Sequence, residues 1–378
     1  MRGKETKICI YAEKVLDASL SDENSTFKQS YKVLESKAPP GLLFIPRYPT
    51  NLIMNSDLYY KIFDIISTSV YPSYTCIRPT TMQIETIDDY PLSMERGFFF
   101  PWHKGKSKRL IGTIDEIVSR FDLSKEIPLM DGITMSRKIN TIMLSGTIGS
   151  GKSYSMKVLI QLLAKTMNKS HTKFAKIIII DPKKSDAARL AKKHPEYELL
   201  IPDKNDRPED FLVKVNTKLS ELIHEMYLRQ DELFERSNKI STNADEIDSR
   251  PIWVFIDELA AITLGLSTRD RAVKDFYQEL QTLALLSRES KIGLVLSLQE
   301  ARQEFLPSSV RGQMNCRILL GRIDKTSAQF LFPGLNDTLS LPLGGLVTGI
   351  VQINDGQHYG IEPIAMPTIT DEKGKKND

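Results

Sequence analysis

One glycine-rich stretch of the sequence carries a lysine that is directly followed by a serine. Residues 146–153 read GTIGSGKS and fit the pattern G-x-x-x-x-G-K-[ST]. In that pattern the glycines let successive backbone N–H groups point at phosphate oxygens, the lysine reaches the β- and γ-phosphates, and the last hydroxyl coordinates Mg²⁺. The spacing therefore predicts a phosphate loop that binds ATP together with Mg²⁺.

The segments on either side of the loop support this interpretation. NTIMLSG (140–146) predicts a strand and KSYSMKVLIQLLAKTM (152–167) predicts a helix, whose N-terminal end attracts phosphate. A flexible glycine loop without a ligand is the alternative, and the flanking elements disfavour it. We expect Lys152 to be catalytic and Ser153 to bind the metal. The predicted nucleotide-binding residues are Gly146, Thr147, Ile148, Gly149, Ser150, Gly151, Lys152, Ser153 and Tyr154.

A second segment supplies the carboxylates that hydrolysis requires. In WVFIDE (253–258) four apolar residues lead to Asp257 and Glu258 at the predicted end of a strand. Ligands of open α/β sheets bind at the carboxyl ends of the strands. Asp257 is therefore a predicted partner of Mg²⁺. Glu258 is the predicted general base that accepts a proton from the attacking water.

Three further features are candidates for catalytic roles. Gln299 ends the strand LVLSLQ, where a polar side chain could orient the water or sense the γ-phosphate; a simple strand cap is the alternative. Arg311, Arg317 and Arg322 lie in a later segment, and one of them could complete a neighbouring subunit's site as an arginine finger. Spacing alone does not select among them. Asp181-Pro182-Lys183 also ends a strand on the ligand side, without an assigned role.

The elements that position these residues fall into three predicted regions. Residues 1–126 contain short strand-like runs between proline-rich turns and predict a small α+β or β-rich module of unknown role. Residues 127–366 alternate strands and helices, which is typical of an α/β fold with a mainly parallel sheet. Residues 367–378 predict a disordered tail.

Composition excludes several classes of protein. The chain has 378 residues, a formal net charge of +3 and 3 cysteines, too few and too scattered for a disulfide framework or a zinc site. Neither a signal peptide nor a membrane span is predicted. We therefore expect a cytoplasmic protein with no direct membrane span, which a partner could recruit to a membrane.

The order of the motifs resembles that of the FtsK/SpoIIIE-type DNA translocases, in the HerA/FtsK branch of P-loop ATPases. The similar segments are IPLMDG before the loop, IIIIDPKK, HEMYLRQDELF, WVFIDELAAI and ESKIGLVLSLQEA, and they cover about residues 125–355. The resemblance implies a RecA-like motor domain that forms hexameric rings around double-stranded DNA and moves it with ATP. Arg317, in MNCRILLG, matches a family arginine and is the first choice for the contact between subunits.

The chain also departs from the cell-division members of that family. We expect neither an N-terminal membrane domain nor a winged-helix module after the motor, and QEARQEF lacks the family's Arg-Pro. We therefore expect a compact, membrane-free member of the kind that mobile genetic elements encode. It would be a coupling ATPase for conjugative transfer or replication, with a relaxase or another mobile-element protein as a partner.

Two other functions stay open at this point. A secretion-type ATPase that moves protein substrates belongs to the same branch, although such proteins usually carry several tandem motor domains or membrane spans. A nucleotide-gated replication accessory protein would bind DNA without moving along it. A peptide export signal as ligand would favour the first of these. DNA binding without ATP-driven movement would favour the second.

Overall fold

The computed structural model describes most of the chain. The described residues are 3–20, 30–50, 52–79, 81–106, 108–240, 242–299, 305–323, 325–333, 335, 345–358 and 360–370. They form two compact units. Among the described residues, unit 1 comprises those within 3–108 and 356–362, and unit 2 comprises those within 109–335, 345–355 and 363–370.

Unit 1 is an antiparallel sheet with two helices. Its strands lie in the order β1-β2-β3-β7-β4, with β6 also paired to β7, and residues 360–361 pair with β5. The elements of this unit are β1 (Gly3–Lys4), α1 (Lys7–Leu20), β2 (Tyr31–Lys37), β3 (Pro40–Pro46), α2 (Ser56–Val70), β4 (Tyr74–Cys76), β5 (Arg78–Pro79), β6 (Ile84–Thr86) and β7 (Arg96–Lys104).

Side-chain alternation along the strands gives unit 1 its core. Phe98 and Phe100 of β7 pack in one cluster with buried residues of α1 and α2, whereas Phe99, between them, packs in a second cluster. This follows from the period of two residues in a strand. The Asn55 side chain accepts a hydrogen bond from the Leu58 N–H and so fixes the start of α2.

Unit 2 is built on a mainly parallel sheet. Its strands lie in the order β13-β12-β14-β15-β11-β16-β17, all parallel to their neighbours except β17, which is antiparallel to β16. The elements are β8 (Ile111–Gly112), α3 (Ile114–Val118), β9 (Glu126–Met130), β10 (Ile133–Ser136), β11 (Thr141–Gly146), α4 (Lys152–Ala164), β12 (Lys176–Ile180), α5 (Asp186–Lys193), β13 (Glu198–Leu200), α6 (Pro208–Arg236), β14 (Ile252–Ile256), α7 (Leu259–Ile262), α8 (Arg271–Leu286), β15 (Ile292–Leu298), α9 (Ser308–Gly312), β16 (Cys316–Leu320), α10 (Lys325–Leu331), β17 (Thr348–Ile353) and β19 (Thr368–Ile369). Strand β18 (Gly360–Ala365) has its first three residues in unit 1 and its last three in unit 2.

The sequence of the central strands explains why they are buried on both faces. β14 and β15 are buried along their whole length, and β12 is buried at four of its five positions. Continuous runs of isoleucine, valine and leucine suit strands that are covered by helices on both sides. The predicted α/β fold with a mainly parallel sheet and a smaller α+β module is confirmed.

The compact units do not divide at residue 126, where the sequence suggested a boundary. Leu110, Ile117 and Ile127 belong to the same apolar cluster as the sheet of unit 2, and this packing assigns residues 109–126 to that unit. Thr368 and Ile369, in the predicted tail, pair in parallel with Ile111 and Gly112. Residues 371–378 lie outside the described residues.

No helix in the described parts of the chain is both long enough and apolar enough to cross a bilayer.

Candidate nucleotide-binding site

The strand order of unit 2 brings the predicted site residues to one edge of the sheet. β15 lies between β11, which leads into the glycine loop, and β14, which leads to the two acids. In this register Ser297 of β15 is level with Leu144 of β11, and Leu296 is level with Ile256 of β14. Asp257 directly follows Ile256, so it lies beside Ser297 of the neighbouring strand.

Glycine conformation shapes the loop between β11 and α4. Gly149 and Gly151 have φ angles of 82° and 89°, which side chains of L-residues rarely allow. A Cβ on Gly151 would also lie 2.7 Å from a methyl carbon of Val347. Gly151 caps α4, so the helix begins at Lys152 and its first N–H groups are available to an anion.

The Lys152 side chain turns toward the acids and is only 8% exposed. Its Nζ donates to Glu258 Oε2 at 3.0 Å and to the Ser297 hydroxyl at 2.9 Å. Asp257 Oδ1 is 3.9 Å from the same nitrogen. The ammonium group therefore has a hydroxyl partner on β15 and two carboxylate partners directly after β14. A buried charge requires partners of this kind.

The two acids are also buried, at 5% exposure each, and have different surroundings. Asp257 accepts hydrogen bonds from the hydroxyls of Ser297 (3.0 Å) and Ser185 (2.6 Å). Glu258 has a left-handed backbone with a φ of 58°. Its Oε1 accepts the backbone N–H of Gln299 at 3.2 Å. A left-handed backbone costs a non-glycine residue about 1–3 kcal/mol, so the surrounding contacts must hold Glu258 in this conformation.

The turn after β12 gives Asp181 a role that the sequence did not assign, and it adds Ser185 to the site. Asp181 is fully buried, and its carboxylate accepts hydrogen bonds from the backbone N–H groups of Lys183, Ser185 and Ala188. The Ser185 hydroxyl lies between Asp181 Oδ2 (2.8 Å) and Asp257 Oδ2 (2.6 Å). A hydrogen-bond partner such as Ser185 fixes the orientation of the Asp257 carboxylate.

Ser297 was also missed, although the sequence holds a signal for it. It is the one hydroxyl side chain inside the apolar run LVLSLQ, two residues before Gln299. Most buried serine hydroxyls have a polar partner, and the partners of Ser297 are Lys152 and Asp257.

Two predicted residues have surroundings that point to a different role. The hydroxyl of Tyr154 accepts the backbone N–H of Ile369 at 2.7 Å, so this side chain holds the C-terminal strand β19. The Arg317 guanidinium is 8% exposed and donates to the backbone carbonyls of Met314, Leu331 and Arg311. Burial, with a smaller effect of the Arg311 charge, lowers the pKa of Arg317.

The surroundings of Arg317 indicate a structural role, because its guanidinium is largely buried and hydrogen-bonded to three backbone carbonyls. Its contact between subunits stays a prediction. Of the three candidate arginines, Arg322 has an exposed side chain, whereas Arg311 donates to the carbonyl of Phe330 at 3.2 Å.

The residues present fit a magnesium nucleotide. Ser153 is exposed at the start of α4, and Asp257 offers carboxylate oxygens, so the donors are of the oxygen type that Mg²⁺ prefers. A Cβ on Gly149 would meet nothing within 4 Å, so no neighbouring atom fills the space beside this part of the loop. The site can therefore hold phosphate by backbone N–H groups, a lysine and a helix terminus.

Comparison with known proteins supports the fold. No protein-family model and no curated protein matches the chain. Among solved structures it is similar to the pCW3 conjugation coupling protein TcpA in a monomer form with ATPγS, at 15% identity over 97% of each chain and a TM-score of 0.53. At this identity the similarity shows the fold, which is that of a P-loop ATPase.

Two further structures are more distant. ATPases 2 and 3 of EssC from Geobacillus thermodenitrificans are 15% identical over 78% of this chain and 46% of that chain, with a TM-score of 0.46. The genome-packaging NTPase B204 from Sulfolobus turreted icosahedral virus 2, in complex with ATPγS, is 15% identical over 61% of this chain and 98% of that chain, with a TM-score of 0.34. The chain thus spans less than half of the EssC structure.

The bridging role of Ser297 can be tested against a matched serine. Ser297→Ala removes a hydroxyl that joins Lys152 to Asp257, and we expect a loss of about 1–3 kcal/mol in the free energy of unfolding. Ser145→Ala is the control, because the hydroxyl of Ser145 is buried without a partner in the adjacent strand β11. Loss of the Ser145 hydroxyl should leave the free energy of unfolding unchanged or raise it. Chemical denaturation measures both, and equal effects would contradict the bridge.

The structural role of Arg317 gives a second test. Arg317→Met keeps an unbranched stem but removes the donor to the carbonyls of Met314 and Leu331, while the carbonyl of Arg311 keeps the Met314 N–H. We therefore expect a loss of more than about 2 kcal/mol in the free energy of unfolding. The exposed Arg322→Met should change stability by less than about 0.5 kcal/mol. An Arg317→Met protein of normal stability that cannot hydrolyse ATP would favour its assignment as an arginine finger.

Proposed function

We propose that this protein is an ATPase that moves double-stranded DNA and serves conjugative transfer or replication of a mobile element. One observation carries the proposal. Lys152, Asp257 and Glu258 meet at one sheet edge, in a fold that resembles a conjugation coupling protein over 97% of both chains. That neighbour was solved with ATPγS, which supports ATP as the ligand here.

Each residue of the site has a role in the proposed hydrolysis. The loop 146–151 and the start of α4 bind the phosphates through backbone N–H groups, and Lys152 binds the β- and γ-phosphates. Mg²⁺ would be held by Ser153 and Asp257 and would neutralise charge that develops on the phosphates. Glu258 accepts the proton of the attacking water, and Gln299 orients that water.

The proposal includes an assembly and partners. By analogy with the motor family that the sequence resembles, six copies form a ring around double-stranded DNA. A relaxase or another protein of the element delivers the DNA. The protein acts in the cytoplasm and is recruited to the membrane through a partner. The exposed Arg322 is the arginine best placed for a contact between subunits.

Substitutions at Lys152 and Glu258 should separate binding from hydrolysis. Lys152→Ala removes the phosphate ligand, so ATP binding and hydrolysis should both be lost. Glu258→Gln removes the base, so the hydrolysis rate should fall by about 10²–10⁴-fold while ATP still binds. Binding is measured with a fluorescent ATP analogue and hydrolysis by phosphate release. Wild-type turnover by the Glu258→Gln protein would contradict the assignment of the base.

DNA movement is tested by displacement of a third strand from a DNA triplex. A translocase strips the third strand with ATP, and the Glu258→Gln protein at the same concentration is the control for passive displacement. Binding of the duplex without displacement would favour the accessory protein. Failure to bind DNA, together with binding of a peptide export signal, would favour the secretion ATPase.

A further inference from the structure

We propose that Lys183 is the counter-ion that keeps Glu258 electrically compensated when Lys152 moves onto the phosphates of a nucleotide. The inference rests on the proposed ATP site. It assigns Lys183 a positioning role that acts through Glu258, without direct contact between Lys183 and the nucleotide.

Glu258 shares one carboxylate oxygen between two lysines. Its Oε2 is 3.0 Å from Lys152 Nζ and 3.4 Å from Lys183 Nζ. The side chain of Glu258 is 7% exposed, whereas that of Lys183 is 45% exposed. One lysine thus approaches the acid from inside the site and the other from its solvent side.

Lys152 cannot serve the acid and a nucleotide at the same time. Binding of ATP would draw its ammonium to the β- and γ-phosphates. A buried carboxylate that loses its only cation is strongly disfavoured, because the desolvation of the charge is no longer offset. With Lys183 in place, Glu258 keeps one cationic partner and the N–H of Gln299 while Lys152 leaves.

The backbone holds Lys183 where this role requires it. The Lys183 N–H donates to Asp181 Oδ1 at 2.9 Å, and the N–H of Ser185 donates to Asp181 Oδ2 at 2.7 Å. Lys184, between them, is left-handed with a φ of 54°. The same turn therefore directs Lys183 to Glu258 and the Ser185 hydroxyl to Asp257.

Lys184 provides a matched control within the turn. It carries the same charge and is exposed, and its side chain has no ion pair or hydrogen bond among the residues that the structure describes. Lys184→Met therefore removes one positive charge from the same turn without touching Glu258.

The affinity for a non-hydrolysable fluorescent ATP analogue with Mg²⁺ tests the inference. Lys183→Met should raise the dissociation constant about tenfold, which corresponds to about 1.4 kcal/mol. Lys184→Met should stay within about twofold of wild type, and Lys183→Arg should preserve most of the affinity because it keeps the charge. Equal dissociation constants for Lys183→Met and Lys184→Met would overturn the inference while leaving the ATP site intact.

A double-mutant cycle identifies Glu258 as the group through which Lys183 acts. In a Glu258→Gln background Lys183 no longer has the carboxylate that it pairs with, so adding Lys183→Met should leave the affinity unchanged. A tenfold loss that persists in that background would mean that Lys183 contacts the nucleotide directly, and it would overturn the inference. A wild-type protein that binds no analogue would overturn the proposed function and this inference together.

Discussion

The contact between the buried Lys152 ammonium and the acids that follow β14 is the interaction on which the site depends. A lysine of 8% exposure is tolerated only if its charge is compensated. Glu258 at 3.0 Å and the Ser297 hydroxyl at 2.9 Å provide that compensation. The loop, the acidic pair and the central strand β15 are therefore fixed relative to one another by one charged group.

The parallel sheet is what brings these groups together. Strands that run in the same direction place their carboxyl ends at one edge, and the order β12-β14-β15-β11 sets the turn after β12, the acids, Ser297 and the loop side by side. Two non-glycine residues at the same edge, Lys184 and Glu258, have a left-handed backbone. Strain of this kind persists where surrounding contacts hold the residue in place, and here those contacts are with Asp181 and Gln299.

Much of this site could be predicted because its motifs depend on local sequence. The glycine loop, the strands that end at Asp257 and Gln299 and the parallel sheet all follow from spacing and from runs of apolar residues. The position of Ser297 inside an apolar run was a signal for a buried polar contact, but the partners of Ser297 and Ser185 could not be predicted. Those contacts depend on strand register and on a turn that local patterns do not determine. The structural contacts of Arg317 could not be predicted for a related reason: its three carbonyl partners come together only in the folded chain.

The N-terminal boundary illustrates the same limit. Residues 109–126 follow a series of short strands and look like their continuation, yet Leu110 and Ile117 pack in the cluster of the parallel sheet. Tertiary packing decides which apolar segments contact one another, and a pattern of short strands does not predict that packing.

The central claim is that Lys152 exchanges the acids for the phosphates of ATP. A crystal or cryo-EM structure of the protein with a non-hydrolysable ATP analogue and Mg²⁺ tests it most directly. We expect Lys152 Nζ to contact the β- and γ-phosphates and to lie more than about 4 Å from Glu258 Oε2, beyond the range of an ion pair. Lys183 should remain beside the acid. An analogue bound in the loop while Lys152 still donates to Glu258 would contradict the account.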